Sequence, residues 1–360
     1  MFLIKQNKEF KVNNFDLLRL FAATQVVVGH YFVHLNIKLS DWSNEILFLF
    51  RGVAIFFVIS GYLISASFER NKNLKIYFTN RALRIFPGLW VLIFFTVIIF
   101  SLTGINFLNA QTLRWLPCQL LGIIYTPKFL SGYGFGSYNG SLWTIPLELQ
   151  FYIFLPVCYL LAPKNKLQPW FYALFLLSLF IKFFYDYSFG DKITAFMPKL
   201  IFYSFLPQFY LFLAGVILQR LNIFQSKFIY NKGIFWLTGY ILFSLTGYIF
   251  FGSNLSHNFC SITFFIIRDL FLAICVLSIA YTLPTTASKL LKTNDISYGV
   301  YIYHGLVITV IVQEKLTGYE NVFFIMGITY ILAYLSWIGI EKPFLRRKEK
   351  TIRLLSNDNL

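Results

Sequence analysis

The chain consists of long apolar runs that are separated by shorter polar and basic segments. A membrane-spanning helix needs about 20 mostly apolar residues in sequence. Runs of this kind lie at residues 15–35, 46–66, 85–104, 143–161, 169–186, 200–219, 233–251, 262–283, 297–314 and 321–340. The pattern therefore predicts an all-α, polytopic membrane bundle of about ten transmembrane helices. This domain covers residues 15–345, between an N-terminal tail (1–14) and a basic C-terminal tail (346–360).

The composition is that of a membrane protein. Hydrophobic residues occupy 58% of the 360 positions and charged residues 13%, whereas a soluble domain has about 45–50% and 25%. One globular core cannot bury so much apolar surface, so lipid must form part of the solvent. These values exclude a soluble enzyme, a secreted disulfide-rich module and a disordered chain.

The net charge of +16 follows the expected membrane topology. If the N-terminus is inside, the six inner segments contain 22 of the 31 lysines and arginines. Lys and Arg prefer cytoplasmic loops, so we predict that both termini are cytoplasmic. The charge then needs no nucleic-acid partner, and we expect none.

One long segment, 105–142, does not fit a full span. Its apolar part, 113–126, is short and contains an arginine, which favours an interfacial or re-entrant helix over an eleventh span. The run GYGFGSYNG (132–140) follows no strand and does not fit a nucleotide-binding loop. We predict a flexible external loop there. Its candidates for stacking on a sugar are Tyr133, Phe135 and Tyr138.

Ionisable side chains at membrane depth are costly and by default mark function. The first helix carries Arg19 near its inner end and His30 eleven residues later, about 16 Å along the axis and on the same face. This spacing suits an anionic cytosolic substrate that reaches a deeper base. Two simpler interpretations stay open: Arg19 as a topology anchor and His30 as a hydrogen-bonded core histidine. His34 follows His30 by four residues, but no carboxylate or cysteine lies near, so we expect no metal.

A carboxylate lies at a similar depth on another helix. Glu148, in SLWTIPLELQFY (141–152), falls about 6–8 Å below the outer surface. Because a carboxylate fixes the tautomer of a histidine and raises its basicity, we predict that Glu148 pairs with His30. The alternative is an interfacial glutamate that faces outward.

Two further segments carry candidate chemistry. In NRALRIFPG (80–88), Arg81 and Arg84 share a helix face, and paired guanidiniums suit phosphates. The alternative is that both arginines only anchor the topology. In ISYGVYIYH (296–304), Tyr301 and His304 share a face near mid-depth.

Together these segments resemble one family, the acyltransferase-3 group of integral-membrane acyltransferases. The resemblance runs from Phe15 to about Leu345. It rests on six segments in the family's order: Arg19 and His30 on one helix, FFVISGYLI (56–64), NRALRIFP (80–87), NGSLWTIPLELQFY (139–152), ISYGVYIYH (296–304) and IEKPF (340–344).

The resemblance implies an O-acyltransferase of the bacterial cytoplasmic (inner) membrane. It would move an acyl group, commonly acetyl, from cytoplasmic acyl-CoA to a hydroxyl of an extracytoplasmic glycan or lipid-linked sugar, such as O-antigen, capsule or exopolysaccharide. The resemblance implies that His30 is essential for transfer and that Arg19, Arg81 and Arg84 bind acyl-CoA. We add Glu148 as the catalytic partner of His30. The residues expected to bind the acceptor are Trp143, Tyr152 and His304.

Many relatives carry an extra helix and an esterase-like domain, and this chain resembles the stand-alone members. It is therefore expected to work alone or with a partner acyltransferase or esterase-like domain. The alternative function is a transporter or flippase of a glycan or lipid-linked intermediate, which would also bury charges between helices. No inverted repeat or pair of broken helices favours that alternative. A membrane scaffold would not need Arg19 and His30 in register.

Overall fold

The computed structural model describes residues 12–163, 166–190, 195–252, 258–292, 294–316 and 321–346. This part of the chain is all-helical and contains no β-strand. Its α-helices are Phe15–His34 (α1), Asp41–Phe48 (α2), Gly52–Arg70 (α3), Leu74–Leu102 (α4), Ala110–Leu120 (α5), Thr144–Leu161 (α6), Leu167–Phe189 (α7), Phe196–Phe202 (α8), Phe209–Arg220 (α9), Gly233–Phe251 (α10), Phe259–Ala280 (α11), Thr286–Leu291 (α12), Ser297–Gln313 (α13) and Asn321–Ser336 (α14). Short 3₁₀ turns occupy Lys128–Leu130, Gly140–Trp143, Leu206–Gln208 and Ile223–Gln225, and a π-helical turn occupies Trp337–Glu341.

Side-chain caps fix where several of these helices begin. The side chains of Asn73, Asn109 and Asn258 accept hydrogen bonds from the first turns of α4, α5 and α11. Each satisfies a backbone N–H group that has no partner within the helix. Polar residues in the loops therefore fix the first residue of the helix that follows.

Seven helical segments of the described chain are long and apolar enough to cross a membrane. The count rises to eight if Phe196–Phe202 and Leu206–Arg220, which are bent by 49°, form one broken span. Pro207 lies at this bend and lacks the N–H group that would continue the helix. The predicted all-helical membrane fold is confirmed, whereas the count of about ten and the cytoplasmic termini stay predictions.

The predicted spans at 15–35 and 297–314 are helical but are not among the helices long and apolar enough to cross a membrane. Ser297–Gln313 has 17 residues. Phe15–His34 includes an aspartate, an arginine, a glutamine and two histidines within 20 residues. Most of the predicted N-terminal and C-terminal tails lies outside the described residues.

The outer faces of the long helices are apolar, as lipid contact requires. Phe180 on α7, Phe250 on α10 and Phe323 on α14 are 65%, 80% and 78% exposed. A water-soluble protein rarely exposes large apolar side chains in such numbers. These helices therefore present their exposed faces to hydrocarbon.

The described residues form two compact units. The first contains those within Met1–Gln25, Leu39–Arg70 and Ile153–Asn294. In it α3 and α9 approach so closely that a Cβ atom on Gly61 would meet the Phe212 carbonyl, and one on Gly215 would meet the Val58 carbonyl. Small residues allow such backbone contact between helices in a membrane.

The first unit also contains buried ion pairs. Arg51 contacts both carboxylate oxygens of Asp269 at 3.0 Å, and the Tyr210 hydroxyl donates to the same carboxylate. Arg268 contacts Glu45 at 3.2 Å. Both charges of α11 thus have partners, as burial requires.

The second unit contains the described residues within Val26–Lys38, Asn71–Tyr152 and Asp295–Leu360. Its helix α13 is almost completely buried. It packs against α4, α14 and the 3₁₀ turn Gly140–Trp143. The side chains of α13 therefore lie at the centre of this unit.

The glycine-rich run of the second unit is fastened along the end of α13. The Gly134 N–H donates to Gln313 at 2.9 Å, and the Thr309 hydroxyl donates to the Ser137 carbonyl at 3.2 Å. Tyr133 is 3% exposed and Tyr138 is fully buried. Both tyrosines therefore anchor the loop and are not surfaces for a sugar, which corrects the sequence-based prediction. Burial raises the pKa of Tyr138, whose hydroxyl donates to Gln119 at 2.5 Å.

The expected short helix in segment 105–142 is present. It is α5, an 11-residue helix with Trp115 fully buried and Leu113 79% exposed. It packs against α4, where the Trp90 indole donates to the Leu120 carbonyl at 2.9 Å. Its 11 residues are too few for a span, and an interfacial or re-entrant position stays a prediction.

Candidate functional site

Two histidines from distant parts of the sequence meet in the second unit. His30 Nδ1 lies 3.0 Å from His304 Nε2, and the ring centroids are 5.1 Å apart. His304 is fully buried on α13, whereas His30 is partly exposed near the end of α1. His304 Nδ1 in turn lies 3.2 Å from the Val300 carbonyl of its own helix. Among the described residues, His30 has no hydrogen-bond partner other than His304.

A third histidine continues the cluster toward the loop. The His34 ring lies 5.1 Å from the His30 ring and stacks on Phe135 with centroids 3.8 Å apart. His34 and Phe135 are both partly exposed. Of the three loop aromatics named from the sequence, Phe135 is therefore the one with an accessible ring.

Tyr301 connects the histidine pair to α6. Its hydroxyl accepts from the Thr144 hydroxyl at 2.9 Å, and its ring is 5.9 Å from the His304 ring. Thr144 is the first residue of α6. The predicted shared face of Tyr301 and His304 is therefore present, and it packs against the start of α6.

Glu148 lies one turn after Thr144 and has a different partner from the one expected. It accepts a short hydrogen bond from the Tyr152 hydroxyl, four residues later on α6. Within the described part of the chain, no hydrogen bond joins Glu148 to His30. The predicted direct contact between Glu148 and His30 is therefore absent, because Glu148 turns along α6 and His304 occupies the position beside His30.

Arg81 lies in an aromatic cage. Its guanidinium carbon is 5.4 Å from the Tyr77 ring centroid and 5.7 Å from the Tyr152 ring centroid, within reach of cation–π attraction. The Tyr77 hydroxyl donates to the Tyr152 carbonyl at 3.1 Å, which fixes the two rings together. Arg81 Nε is buried and has no hydrogen-bond partner among the described residues. Within the described ranges, the charge of Arg81 is therefore held by aromatic faces and not by a carboxylate.

Arg84, three residues later, is held by a carboxylate. It contacts Asp295 at 2.5 Å, with side-chain exposures of 24% and 9%. Asp295 also accepts from the Ser297 N–H at 3.2 Å and from the Ser297 hydroxyl at 2.5 Å. Arg81 and Arg84, which were expected to share a helix face and a function, therefore have different surroundings: aromatic rings around Arg81 and a carboxylate beside Arg84.

The other predicted residues are placed as follows. Arg19 lies in the first unit and contacts Asp16 at 3.2 Å on its own helix. Trp143 ends the 3₁₀ turn before α6 and is partly exposed, whereas Tyr152 is 4% exposed. The described residues contain no group of three or more His, Cys, Asp or Glu side chains that could hold a metal ion.

Along α13 and α6, the residues next to the arginines are separated from the residues next to the histidine pair. Ser297, which binds Asp295, precedes His304 by seven residues on α13, about 10 Å. Thr144, which contacts Tyr301, precedes Tyr152 by eight residues on α6, about 12 Å. Both helices thus place the cationic end about 10–12 Å from the histidine end.

Asn139 is a positioning residue that the sequence analysis did not identify. Its amide donates to the Ile302 carbonyl at 2.8 Å and accepts from the Ser141 hydroxyl at 2.6 Å. Gly305 leaves the space for this amide, since a Cβ there would meet the Asn139 side chain. The signal was present in the sequence: an asparagine directly before a helical start is a typical cap.

This arrangement is suited to proton transfer at one end and anion binding at the other. His30 is a partly exposed imidazole whose Nε2 makes no hydrogen bond within the described residues. A histidine in this state is a suitable general base. Arg81 provides a cation without a carboxylate partner in the described part of the chain.

Comparisons with known proteins show the family of this chain. The model of the acyltransferase-3 family, described as "Acyltransferase domain", matches residues 12–338. Nodulation protein 10 of Rhizobium leguminosarum bv. viciae is 32% identical, over 94% of this chain and 95% of its own length. An O-acetyl transferase of Shigella phage Sf6 is 26% identical, over 96% and 99%.

A peptidoglycan O-acetyltransferase of Listeria monocytogenes is 28% identical, over 44% of this chain and 26% of its own length. No solved structure matches this chain. The family match covers nearly the whole sequence and agrees with the membrane-crossing helices. The chain therefore belongs to the acyltransferase-3 family and is a multi-pass membrane O-acyltransferase.

Proposed function

We propose that this protein transfers an acyl group, acetyl in particular, from cytoplasmic acyl-CoA to a hydroxyl of an extracytoplasmic glycan or lipid-linked sugar. The observation that carries the proposal is the partly exposed His30, whose Nδ1 is held by buried His304 at 3.0 Å. The O-acetyl transferase names of two relatives support acetyl as the acyl group.

The donor binds through Arg81. The guanidinium of Arg81 has no carboxylate partner in the described part of the chain and so attracts a CoA phosphate, while the faces of Tyr77 and Tyr152 keep it in place. The pantetheine arm then extends along α6 and α13 toward His30. Arg84 is already compensated by Asp295, so it holds α4 against the start of α13. A role in donor binding for Arg19, in the first unit, stays a prediction.

The acceptor approaches His30 from the side of the exposed aromatic residues. Tyr152 and His304, expected from the sequence to bind the acceptor, are both buried and hydrogen-bonded within the protein. Trp143 and the His34–Phe135 stack are partly exposed. Aromatic faces of this kind suit the apolar face of a sugar ring.

The chemical step is a direct acyl transfer. His30 Nε2 takes the proton from the sugar hydroxyl while the oxygen attacks the thioester carbonyl carbon. The new C–O bond forms, the C–S bond breaks, and the imidazolium returns the proton to the CoA thiolate. The products are one acyl ester and one free CoA thiol.

The test is an incubation of membranes with radiolabelled acetyl-CoA, with CoA thiol release and labelled surface glycan measured together. We expect both to appear in equal amounts with the wild type and to be absent with His30→Gln at the same expression level. A transporter or flippase would release no CoA. Labelled glycan from the purified wild-type protein would show that no partner acyltransferase is needed.

A further inference from the structure

A chain of two hydrogen bonds runs from the α13 backbone to His30. The Val300 carbonyl lies 3.2 Å from His304 Nδ1, and His304 Nε2 lies 3.0 Å from His30 Nδ1. His304 interacts with the backbone of both Val300 and Tyr301, and its Nε2 faces His30. The direction of the chain therefore decides which nitrogen of His30 is left for chemistry.

The backbone carbonyl sets the direction because it can only accept a hydrogen bond. His304 Nδ1 must therefore carry a hydrogen. His304 is fully buried and has no carboxylate partner among the described residues, and a buried, unpaired charge is costly. The ring is therefore neutral, and its Nε2 carries a lone pair.

An accepting His304 Nε2 requires a donor on His30. His30 Nδ1 must carry the hydrogen, so His30 Nε2 has a free lone pair. The reverse direction would place two lone pairs opposite each other at the Val300 carbonyl and would lose that hydrogen bond. The Val300 carbonyl and the neutral His304 ring thus select the tautomer of His30 that carries its hydrogen on Nδ1.

We infer that His304 is a positioning residue that holds His30 in the tautomer with Nε2 unprotonated. This inference rests on the proposed role of His30 as the base. His304 takes the place in which a carboxylate usually orients a catalytic histidine. Among the described residues, the charged and titratable side chains that face His30 are His34 on its own helix and His304 on α13, and neither is an anion. The imidazolium formed during transfer therefore lacks a neighbouring negative charge and readily returns its proton to the thiolate.

The direct test is nitrogen NMR of purified protein labelled with ¹⁵N-histidine. The chain has four histidines, so few ring signals need assignment, which single His→Gln variants provide. We expect His30 and His304 both to carry hydrogen on Nδ1 and to have unprotonated Nε2 at neutral pH. A hydrogen on Nε2 of His30, or an imidazolium at either position, would overturn the inference.

His34→Gln is the matched control for this spectrum. It removes a ring 5.1 Å from His30 that makes no hydrogen bond to it. The His30 signals should keep their tautomer in His34→Gln and become a mixture of both tautomers in His304→Leu. A mixture in the control, or an unchanged tautomer in His304→Leu, contradicts the assignment of His304.

A kinetic test separates positioning from a purely structural role. His304→Gln keeps an acceptor for His30 Nδ1, whereas His304→Leu does not. We expect kcat to fall about tenfold or more in His304→Leu, with the KM for acetyl-CoA unchanged, and to recover in His304→Gln. Equal losses in both variants would contradict the inference. The NMR result is independent of turnover, so a failure of the proposed function and a failure of this inference are distinguishable.

Discussion

Arg81 and Arg84 lie three residues apart on α4, yet their charges are balanced in different ways. Arg84 contacts Asp295 at 2.5 Å, and Asp295 is held by Ser297. Arg81 is held between the rings of Tyr77 and Tyr152. A guanidinium between aromatic faces still attracts an anion, whereas one that already contacts a carboxylate is largely neutralised.

The two arginines should therefore respond differently to substitution. Arg81→Gln is expected to raise the KM for acetyl-CoA about tenfold, which corresponds to about 1.4 kcal/mol, with little change in stability. Arg84→Gln is expected to destabilise the protein by about 3 kcal/mol, because it removes the cation that compensates the charge of the buried Asp295 carboxylate. Steady-state kinetics and thermal unfolding measure the two effects.

The matched control is Arg84→Gln combined with Asp295→Asn. Removing both charges should recover much of the lost stability, since no uncompensated carboxylate charge remains at position 295. If Arg84→Gln raised the KM for acetyl-CoA as strongly as Arg81→Gln, both arginines would bind the donor. That result would restore the paired-guanidinium site predicted from the sequence.

Glu148 is coupled to Arg81 through Tyr152, which contacts both. The effects of Glu148→Gln and Arg81→Gln on kcat/KM should therefore be non-additive, whereas the effects of Glu148→Gln and His304→Leu on kcat/KM should add. A double-mutant cycle on acetyl-CoA kinetics measures both couplings. Strong coupling between Glu148 and His304, without coupling to Arg81, would instead place Glu148 with the histidines.

For single residues, the sequence indicates well which side chains belong to the candidate site and poorly which side chains they contact. His30, Arg81 and Glu148 stand out because ionisable groups are rare in apolar runs. The partner of His30 is a histidine 274 residues away. A single sequence indicates how deep a residue lies in the membrane and on which helix face, but not which helices are neighbours. Glu148, a carboxylate at similar depth, is therefore as good a candidate for the partner of His30 as His304.

Among the elements, the turn before α6 depends on Asn139. The Asn139 amide donates to Ile302 on α13 and caps the 3₁₀ turn Gly140–Trp143. These bonds place the start of α6 beside Tyr301 and His304. Helix α13, which carries His304, is therefore aligned with α6 by the uncharged side chain of Asn139.

Asn139→Ala should lower stability by about 2–3 kcal/mol, because a buried carbonyl and a helical start both lose partners. It should also lower kcat, since α13 is no longer aligned with α6. Thermal unfolding and CoA release measure these effects. The matched control is Asn109→Ala, which removes the cap of α5 without touching α13 and should cost about 1 kcal/mol. Equal effects of both substitutions on kcat would contradict the positioning role.

Apolar runs predicted most of the long helices but not how they break. The α8–α9 pair is bent by 49° where the sequence suggested one continuous span at 200–219. The short helices α2 and α12 fall in segments that were assigned to a span or to loops. Hydropathy measures transfer into lipid and does not register a proline bend or a helix that packs beside a span.

For the whole molecule, the proposal requires that the two ends of the second unit face opposite sides of the membrane. The basic segment 67–84 is predicted to be cytoplasmic because inner loops collect Lys and Arg. Arg81 would then meet acyl-CoA from inside, and His30, His34 and Phe135 would meet the glycan from outside. Along α6 and α13 these two groups of residues are about 10–12 Å apart, and this is the distance that the pantetheine arm of a donor held at Arg81 has to cover.

The most direct measurement uses proteoliposomes that contain labelled acetyl-CoA inside and a membrane-impermeant glycan outside. We predict one acetyl ester on the outer glycan for each CoA released inside, with no transfer in His30→Gln. Gly327→Ala should behave like the wild type, because a Cβ there meets no atom within 4 Å. Transfer that needs donor and glycan on the same side, or that persists in His30→Gln, would contradict acyl transfer across the membrane by His30.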